Sequence, residues 1–254
     1  MMKTIIITGA GSGMGEATAK LLSENPENSL ILIGRSQSRL NDVLECLSNR
    51  ENHASLAVDI CNAKALRLGL ADLLKHKSLE CVFANAGIGG ENAYGEDDRW
   101  HEIIQTNLTG TYNTIMEALP YLKLSQERFK HILITSSCLA RFGVPNYTAY
   151  CTAKTGLLGL TRSLAVQYAS DGILVNALTP GWVRTEMAER GIQLLADRAG
   201  ISFEESFKQQ MGYVPTGNIS EPSEIAELVS FLFSGKQNSI TGQALDINNG
   251  SYMQ

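Results

Sequence analysis

A chain of 254 residues, 44% hydrophobic and 19% charged, is long enough for one large domain and has the balance of an ordinary globular fold, which excludes disordered and fibrous classes. A formal net charge of −5, without any run of five or more Lys and Arg, argues against a nucleic-acid partner, because phosphate recognition needs a basic face. No stretch approaches the roughly eighteen apolar residues that a membrane span needs, and the apolar run near the N-terminus is too short for a signal peptide, so a cytoplasmic protein without a membrane partner is expected.

The first predicted strand, 4–8, runs into "GAGSGMG", where Gly9, Gly11, Gly13 and Gly15 lead into the helical stretch "MGEATAKLLSE". Glycines between a buried strand and a helix allow a tight turn, let the backbone approach a pyrophosphate, and leave the helix N-terminus free to donate N–H groups to it. A second strand, 30–34, ends in "GRSQSRL". A fold selective for NAD usually carries Asp or Glu here for the ribose 2′-hydroxyl; Arg35 and Ser36 suit a 2′-phosphate instead, which favours NADP(H) while leaving NAD(H) possible. Arg39 reads as part of the polar face of the helix that follows.

Further short aliphatic runs at 55–58, 81–84, 131–135, 174–177 and 244–247 alternate with helical stretches such as "RLNDVLECLS" and "LGLTRSLAVQYA". Strand and helix in alternation predict an α/β fold, a doubly wound parallel sheet with helices on both faces, and the near-continuous apolar strands fit burial on both sides. Nothing resembling a linker or a repeat interrupts the pattern, so residues 1–254 are read as a single domain. The rhythm changes only at 185–215, a long charged helical insertion expected to form a lid over a substrate pocket.

The cysteines, Cys46, Cys61, Cys81, Cys138 and Cys151, are odd in number, form no Cys-x-x-Cys and have no neighbouring His at metal-ligand spacing. They are expected to be reduced, mostly buried thiols, and no metal site is expected. "YTAYCTAK" puts Lys154 four positions after Tyr150 and seven after Tyr147, so either phenol could share a helix face with it.

Thr8, Gly9, Gly13 and Gly15 in a TGxxxGxG loop, "NAG" at Asn85, Ala86 and Gly87, Asn107-Leu-Thr-Gly, "ITSS" ending at Ser137, YxxxK at Tyr150 and Lys154, and "PGWVRT" at 180–185 follow one another in an order that resembles the short-chain dehydrogenase/reductase family. The resemblance spans about residues 4–250. It implies a Rossmann-type seven-stranded sheet of order 3-2-1-4-5-6-7, a nicotinamide cofactor and a catalytic set of Asn107, Ser137, Tyr150 and Lys154. It further implies that Asp59 meets the adenine, Asn85 the adenosine ribose, and Val183 and Thr185 the nicotinamide carboxamide. Gly11, Ser12, Met14, Ile60, Pro180 and Gly181 join the glycine loop, Arg35, Ser36, Ala86, Gly87, Tyr150 and Lys154 as expected cofactor residues. Ala84 departs from the second Asn that often precedes "NAG", and "NNG" at 248–250 from a frequent "DGG".

A free phenol with a pKa of about 10 is a poor base, and lowering it by three units takes about 4 kcal/mol, which a cation at ~4 Å supplies at an effective dielectric of ~20. Tyr150 is therefore assigned as general acid/base, Lys154 as its electrostatic partner and ribose ligand, and Ser137, thirteen residues upstream of Tyr150, as donor to the substrate oxygen. Asn107 would hold a water near Lys154. Tyr147 has the spacing seen in enoyl reductases, but the intact glycine loop and the register of Ser137 make it a pocket residue, with Leu139 and Trp182 as further substrate contacts. The expected reaction is NADP(H)-dependent interconversion of a carbonyl and a secondary alcohol. Reduction of a 3-oxoacyl thioester on acyl carrier protein or CoA, an NAD-dependent polyol dehydrogenase and a non-catalytic cofactor-sensing module are the alternatives. Arg141, Arg184 and Arg190 are candidate handles for an anionic carrier, and a homotetramer or homodimer built through the helices carrying Asn107 and Tyr150 is expected.

Overall fold

The computed structural model describes residues 2–75 and 77–253. Seven parallel strands, β1 (Lys3–Thr8), β2 (Asn28–Gly34), β3 (Ala54–Ala57), β4 (Cys81–Ala84), β5 (Lys130–Thr135), β6 (Ile173–Pro180) and β7 (Ala244–Ile247), form one sheet of order β3-β2-β1-β4-β5-β6-β7, the order the family resemblance implies. Successive side chains of a strand point to opposite faces, and the core divides accordingly. Ile6, Ile31 and Ile33 pack into one layer with residues of α3 (Ala63–Leu73), α5 (Thr111–Leu124) and α6 (Thr148–Tyr168), while Ile5, Ile7, Leu30 and Leu32 pack into the other with residues of α1 (Gly13–Ser23), α2 (Gln37–Glu45) and α9 (Pro222–Phe233). The order turns back between β1 and β4, which opens a crevice beyond their carboxyl ends, where α/β sheets bind ligands.

Three details differ from the sequence reading. Strand β6 runs on to Pro180, buried along its whole length, and so delivers the chain directly to the crevice. Helix α4 (Trp100–Ile104) does not end before α5 but continues through one turn of wider π-helix, Gln105–Gly110, which contains Asn107. Of the five thiols, all free, only Cys81 and Cys138 are buried, so the expectation of mostly buried cysteines fails for Cys46, Cys61 and Cys151, which lie at edges of helices and loops rather than in strands.

The insertion at 185–215 forms α7 (Glu186–Ala199) and α8 (Phe203–Gly212). Thr185 caps α7 by accepting the Ala188 N–H, Gly200 ends it in the left-handed conformation at φ +65°, and Ser202 with Glu205 forms a capping box on α8. Ala188, Met211, Val214 and Ile219 make a small core of their own with Trp182 and Phe207 packed against it. No helix among the described residues is long and apolar enough to cross a membrane.

Candidate active site

Gly9 and Gly13 both take positive φ, +67° and +56°, and a Cβ on Gly15 would come within 2.3 Å of the Gly9 carbonyl oxygen, so the turn between β1 and α1 needs glycine at these places. Ser12, at the helix N-cap, makes no side-chain cap hydrogen bond, so no side chain takes up the first-turn N–H donors of α1. Helix N-termini with donors in this state bind phosphates. Arg35 is exposed at the end of β2, Ser36 caps α2 by accepting the Arg39 N–H, and Arg39 crosses to Glu186 of α7 at 3.3 Å. Asp59 is exposed and accepts the Cys61 N–H at 2.8 Å, whereas Ile60 is buried against the Gly110 turn.

Asn85 is held in place by the ends of two neighbouring strands. Its side chain donates to the Thr8 carbonyl at 3.1 Å and accepts from the Thr135 hydroxyl at 3.1 Å, while the Thr8 hydroxyl accepts the N–H groups of Asn85 and Ala86 at 3.0 Å each. These bonds tie the ends of β1, β4 and β5 together and hold the crevice floor. Gly87 lies against the side chains of Asn107 and Lys154: a Cβ there would stand 2.9 Å from Asn107 Oδ1 and 3.6 Å from Lys154 Nζ. At the other wall Pro180 and Gly181 lead into Val183, which bridges to Ser220, and to Thr185, whose methyl group lies 2.9 Å from where a Gly13 Cβ would be.

The reacting groups meet between these walls. Helix α6 places Lys154 one turn after Tyr150, with the ammonium 5.5 Å from the phenol ring centroid, and the Tyr150 hydroxyl hydrogen-bonds the Ser137 side chain. Lys154 is 4% exposed and donates to the Thr135 carbonyl at 2.8 Å, and its own carbonyl accepts from the Ser136 hydroxyl at 2.7 Å. Ser136, which the spacing argument passed over, thus pins the lysine from behind. Asn107 is fully buried, and both ends of its amide are spent on Ile88: Oδ1 accepts the N–H and Nδ2 donates to the carbonyl, each at 2.8 Å. Its side chain fixes the loop after β4.

The titration of the pair differs from the expectation that Lys154 would lower the phenol. Part of Tyr150 faces the crevice, yet burial is the dominant influence on the hydroxyl and pushes its pKa up to about 12, against a smaller lowering by Ser137. Burial also pushes Lys154 down to about 8. Both groups favour their neutral forms because each is taken out of water. Tyr147 meets Tyr150 edge-on, ring centroids 6.3 Å apart, and the charges that act on it are Glu91 and Arg198, while Lys154 lies over the ring of Tyr150. Leu139 is half-buried and gives its N–H to Ser137 Oγ at 3.1 Å; Trp182 is half-buried against Gly191 of α7.

Arg198 of α7 pairs with Glu91 of the β4–α4 loop at 2.6 Å beside Tyr147, a contact 107 residues apart in sequence with no local signal. The three candidate anion handles are all engaged by acids: Arg141 by Asp246, Arg184 by Glu221 and Arg190 by Glu186. Among the described residues no group of three or more His, Cys, Asp and Glu is placed to hold a metal ion.

A parallel sheet with a glycine cradle at its switch point and a buried Ser-Tyr-Lys cluster beside it defines a Rossmann-class oxidoreductase that takes a dinucleotide. Residues 9–252 match the family described as Enoyl-(Acyl carrier protein) reductase. Over 257 residues the chain is 30% identical to the 3-oxoacyl-(acyl-carrier-protein) reductase FabG of Staphylococcus aureus strain Mu50, covering 100% of this chain and 99% of the relative. Among solved structures, a short-chain dehydrogenase family protein from Francisella tularensis subsp. tularensis SCHU S4 superposes with a TM-score of 0.87 at 29% identity over 99% of both chains. A variant of actinorhodin polyketide ketoreductase, solved with NADPH, superposes with a TM-score of 0.91 at 28% identity over 98% of this chain and 97% of that one. The chain belongs to the short-chain dehydrogenase/reductase family, and it is an oxidoreductase that interconverts a carbonyl and an alcohol by hydride transfer with a nicotinamide cofactor.

Proposed function

We propose that the protein is an NADPH-preferring carbonyl reductase in which Tyr150 delivers the proton, and that its substrate is a 3-oxoacyl thioester. The observation that carries the reading is the Tyr150 hydroxyl bonded to Ser137 with Lys154 behind its ring, deep in the crevice beside the glycine cradle. The residues present fit the cofactor: a turn that only glycines can make, helix donors left uncapped, and a buried ammonium with one protein acceptor for its three protons. Gly9, Gly11, Ser12, Gly13, Met14 and Gly15 would hold the pyrophosphate, Arg35 and Ser36 the 2′-phosphate, Asp59 and Ile60 the adenine, and Pro180, Gly181, Val183 and Thr185 the nicotinamide. When bound, the reduced nicotinamide supplies the hydride.

Ser137 donates a hydrogen bond to the carbonyl oxygen, and Tyr150 gives its proton to that oxygen as negative charge develops there. The phenolate left behind is stabilised by protonated Lys154, whose ammonium lies 5.5 Å from the phenol ring centroid. Leu139, Tyr147 and Trp182 line the substrate side. Similarity to the 3-oxoacyl reductase relative supports the thioester substrate over polyols. The apolar residues that α5 and α6 leave exposed, Tyr112, Leu124 and Val166, support a homotetramer or homodimer built through those helices, and five free thiols suit a reducing cytoplasm.

The test is a panel of 3-oxoacyl thioesters, 2-enoyl thioesters, polyols and simple ketones, each run with NADPH and NADH. The reading expects NADPH oxidation to be fastest with 3-oxoacyl thioesters. A preference for the enoyl series, or turnover only of polyols with NAD, would overturn it.

A further inference from the structure

Helix α6 carries both Tyr150 and Lys154, and its first turn has no cap of its own: Tyr147 stands at the N-cap position and its side chain makes no cap hydrogen bond. The acceptor comes from the loop between β4 and α4. Asn92 Oδ1 takes the Ala149 N–H at 2.9 Å and the Thr148 hydroxyl at 3.1 Å. The other end of the same amide, Nδ2, donates to Asp98 Oδ1 at 3.1 Å, and that oxygen also accepts the N–H of Trp100, the first residue of α4, at 2.9 Å. The Asn92 backbone N–H reaches the carbonyl of Asn146, which takes a left-handed φ of +64° in the turn before α6. Asn92 is 8% exposed.

This position asks for one side chain with an acceptor toward α6 and a donor toward Asp98, which only a carboxamide provides at that size. An aspartate would keep the acceptor, lose the donor and face a second carboxylate. The two catalytic residues on α6 are fixed differently. Lys154 is held independently through Thr135 and Ser136. Tyr150 directly follows the capped N–H of Ala149, in the turn that Asn92 closes.

We propose that Asn92 is a positioning residue for the proton donor: by capping α6 from the β4–α4 loop it sets Tyr150 against Ser137 and Lys154. The proposal rests on the reading of Tyr150 as the acid given above. A shift of the first turn then moves the phenol while the lysine stays in place, and small displacements of a reacting group carry large rate penalties.

The experiment compares Asn92→Ala, Asn92→Asp and Asp98→Asn. Three readouts are taken: kcat and KM for carbonyl reduction, NADPH affinity by fluorescence, and amide hydrogen exchange over 148–151. Asn92→Ala and Asn92→Asp should each lower kcat about ten- to a hundredfold with KM and NADPH affinity little changed, and should speed exchange over 148–151. Asp98→Asn keeps an oxygen that can accept both N–H groups and should leave kcat and exchange close to wild type. The loss in the Asn92 variants should fall on kcat with KM and NADPH affinity kept, a split that a general loss of folding would not produce. Unchanged exchange in Asn92→Ala, or a loss of NADPH affinity as large as the loss of kcat, would overturn the proposal. Wild-type protein that reduces no carbonyl would instead overturn the reading of Tyr150 itself, while the exchange data would still decide whether Asn92 caps the helix.

Discussion

Tyr150 and Lys154 are both held toward their neutral forms by burial, at about 12 and about 8, and their charge states have opposite consequences for reduction. A phenol that keeps its proton up to about pH 12 is in its donor form at every ordinary pH, so Tyr150 does not limit the rate by being ionised. Lys154 does change charge. Below about pH 8 it is an ammonium and stabilises the phenolate that forms when Tyr150 gives up its proton; above that pH the stabilisation goes with the proton. Reductive kcat/KM should therefore be level below about pH 8 and fall above it, and a profile that stays level to pH 10 would contradict this assignment. Ser137, Tyr150, Lys154 and the glycine loop were legible in the sequence because each lies in a short contiguous pattern whose spacing encodes its geometry. Asn92, Ser136 and Glu91 were not. Asn92 meets α6 at a separation of 56 to 57 residues, and Glu91 meets Arg198 at 107, so a lone Asn or Glu in "GENAYG" looks like turn chemistry. Asn107 and Asn85 were found by pattern, but the bonds that hold their amides, to the Ile88 backbone for one and to the Thr8 carbonyl and Thr135 hydroxyl for the other, are a use no spacing reveals.

Parallel strands buried on both faces leave a strong sequence signal, which is why β1, β2 and β4 to β6 could be read from aliphatic runs, and β3 and β7, which are less buried, from weaker ones. Their ends were less legible. Burial, not propensity, extends β6 to Pro180, and the π-helical turn at Gln105–Gly110 arises inside an unbroken helical pattern. Helices α7 and α8 were readable as an insertion, but their attachment was not. Two ion pairs, each with an exposed arginine, tie α7 across the crevice, Glu186 to Arg39 on α2 and Arg198 to Glu91. Exposed pairs contribute little to stability, so Arg198→Ala should shift Tm by no more than about 2–4 °C. Because the pair closes beside Tyr147, the same substitution should raise substrate KM severalfold. A large fall in Tm with KM unchanged would show that α7 is a structural brace rather than a lid.

Away from the crevice, a buried histidine contributes to how the fold meets acid. His131 on β5 is pushed down to about 4, first by burial and then by the charge of Lys3, with only the Asn238 side chain opposing; its ring lies 6.2 Å from that of Phe233. In the unfolded chain this histidine takes up a proton near pH 6.5, whereas the folded chain refuses it until about pH 4. Between those values the unfolded state binds more protons, so stability falls as pH falls, by about 3 kcal/mol over the window. Urea midpoints measured from pH 7 to pH 4 should drop less steeply in His131→Gln than in the wild type; equal slopes would contradict the assignment. The same sheet carries the glycine cradle, Ser137 and the N-terminal end of α6 to one rim, and the account of this protein stands on what happens there to one proton. The most direct test measures NADPH oxidation with a 3-oxoacyl thioester in Tyr150→Phe and Tyr147→Phe, alongside NADPH binding. Tyr150→Phe should lose about a hundredfold or more of kcat while still binding NADPH, and Tyr147→Phe should stay within about tenfold of wild type. Full activity in Tyr150→Phe, or loss confined to Tyr147→Phe, would contradict the account.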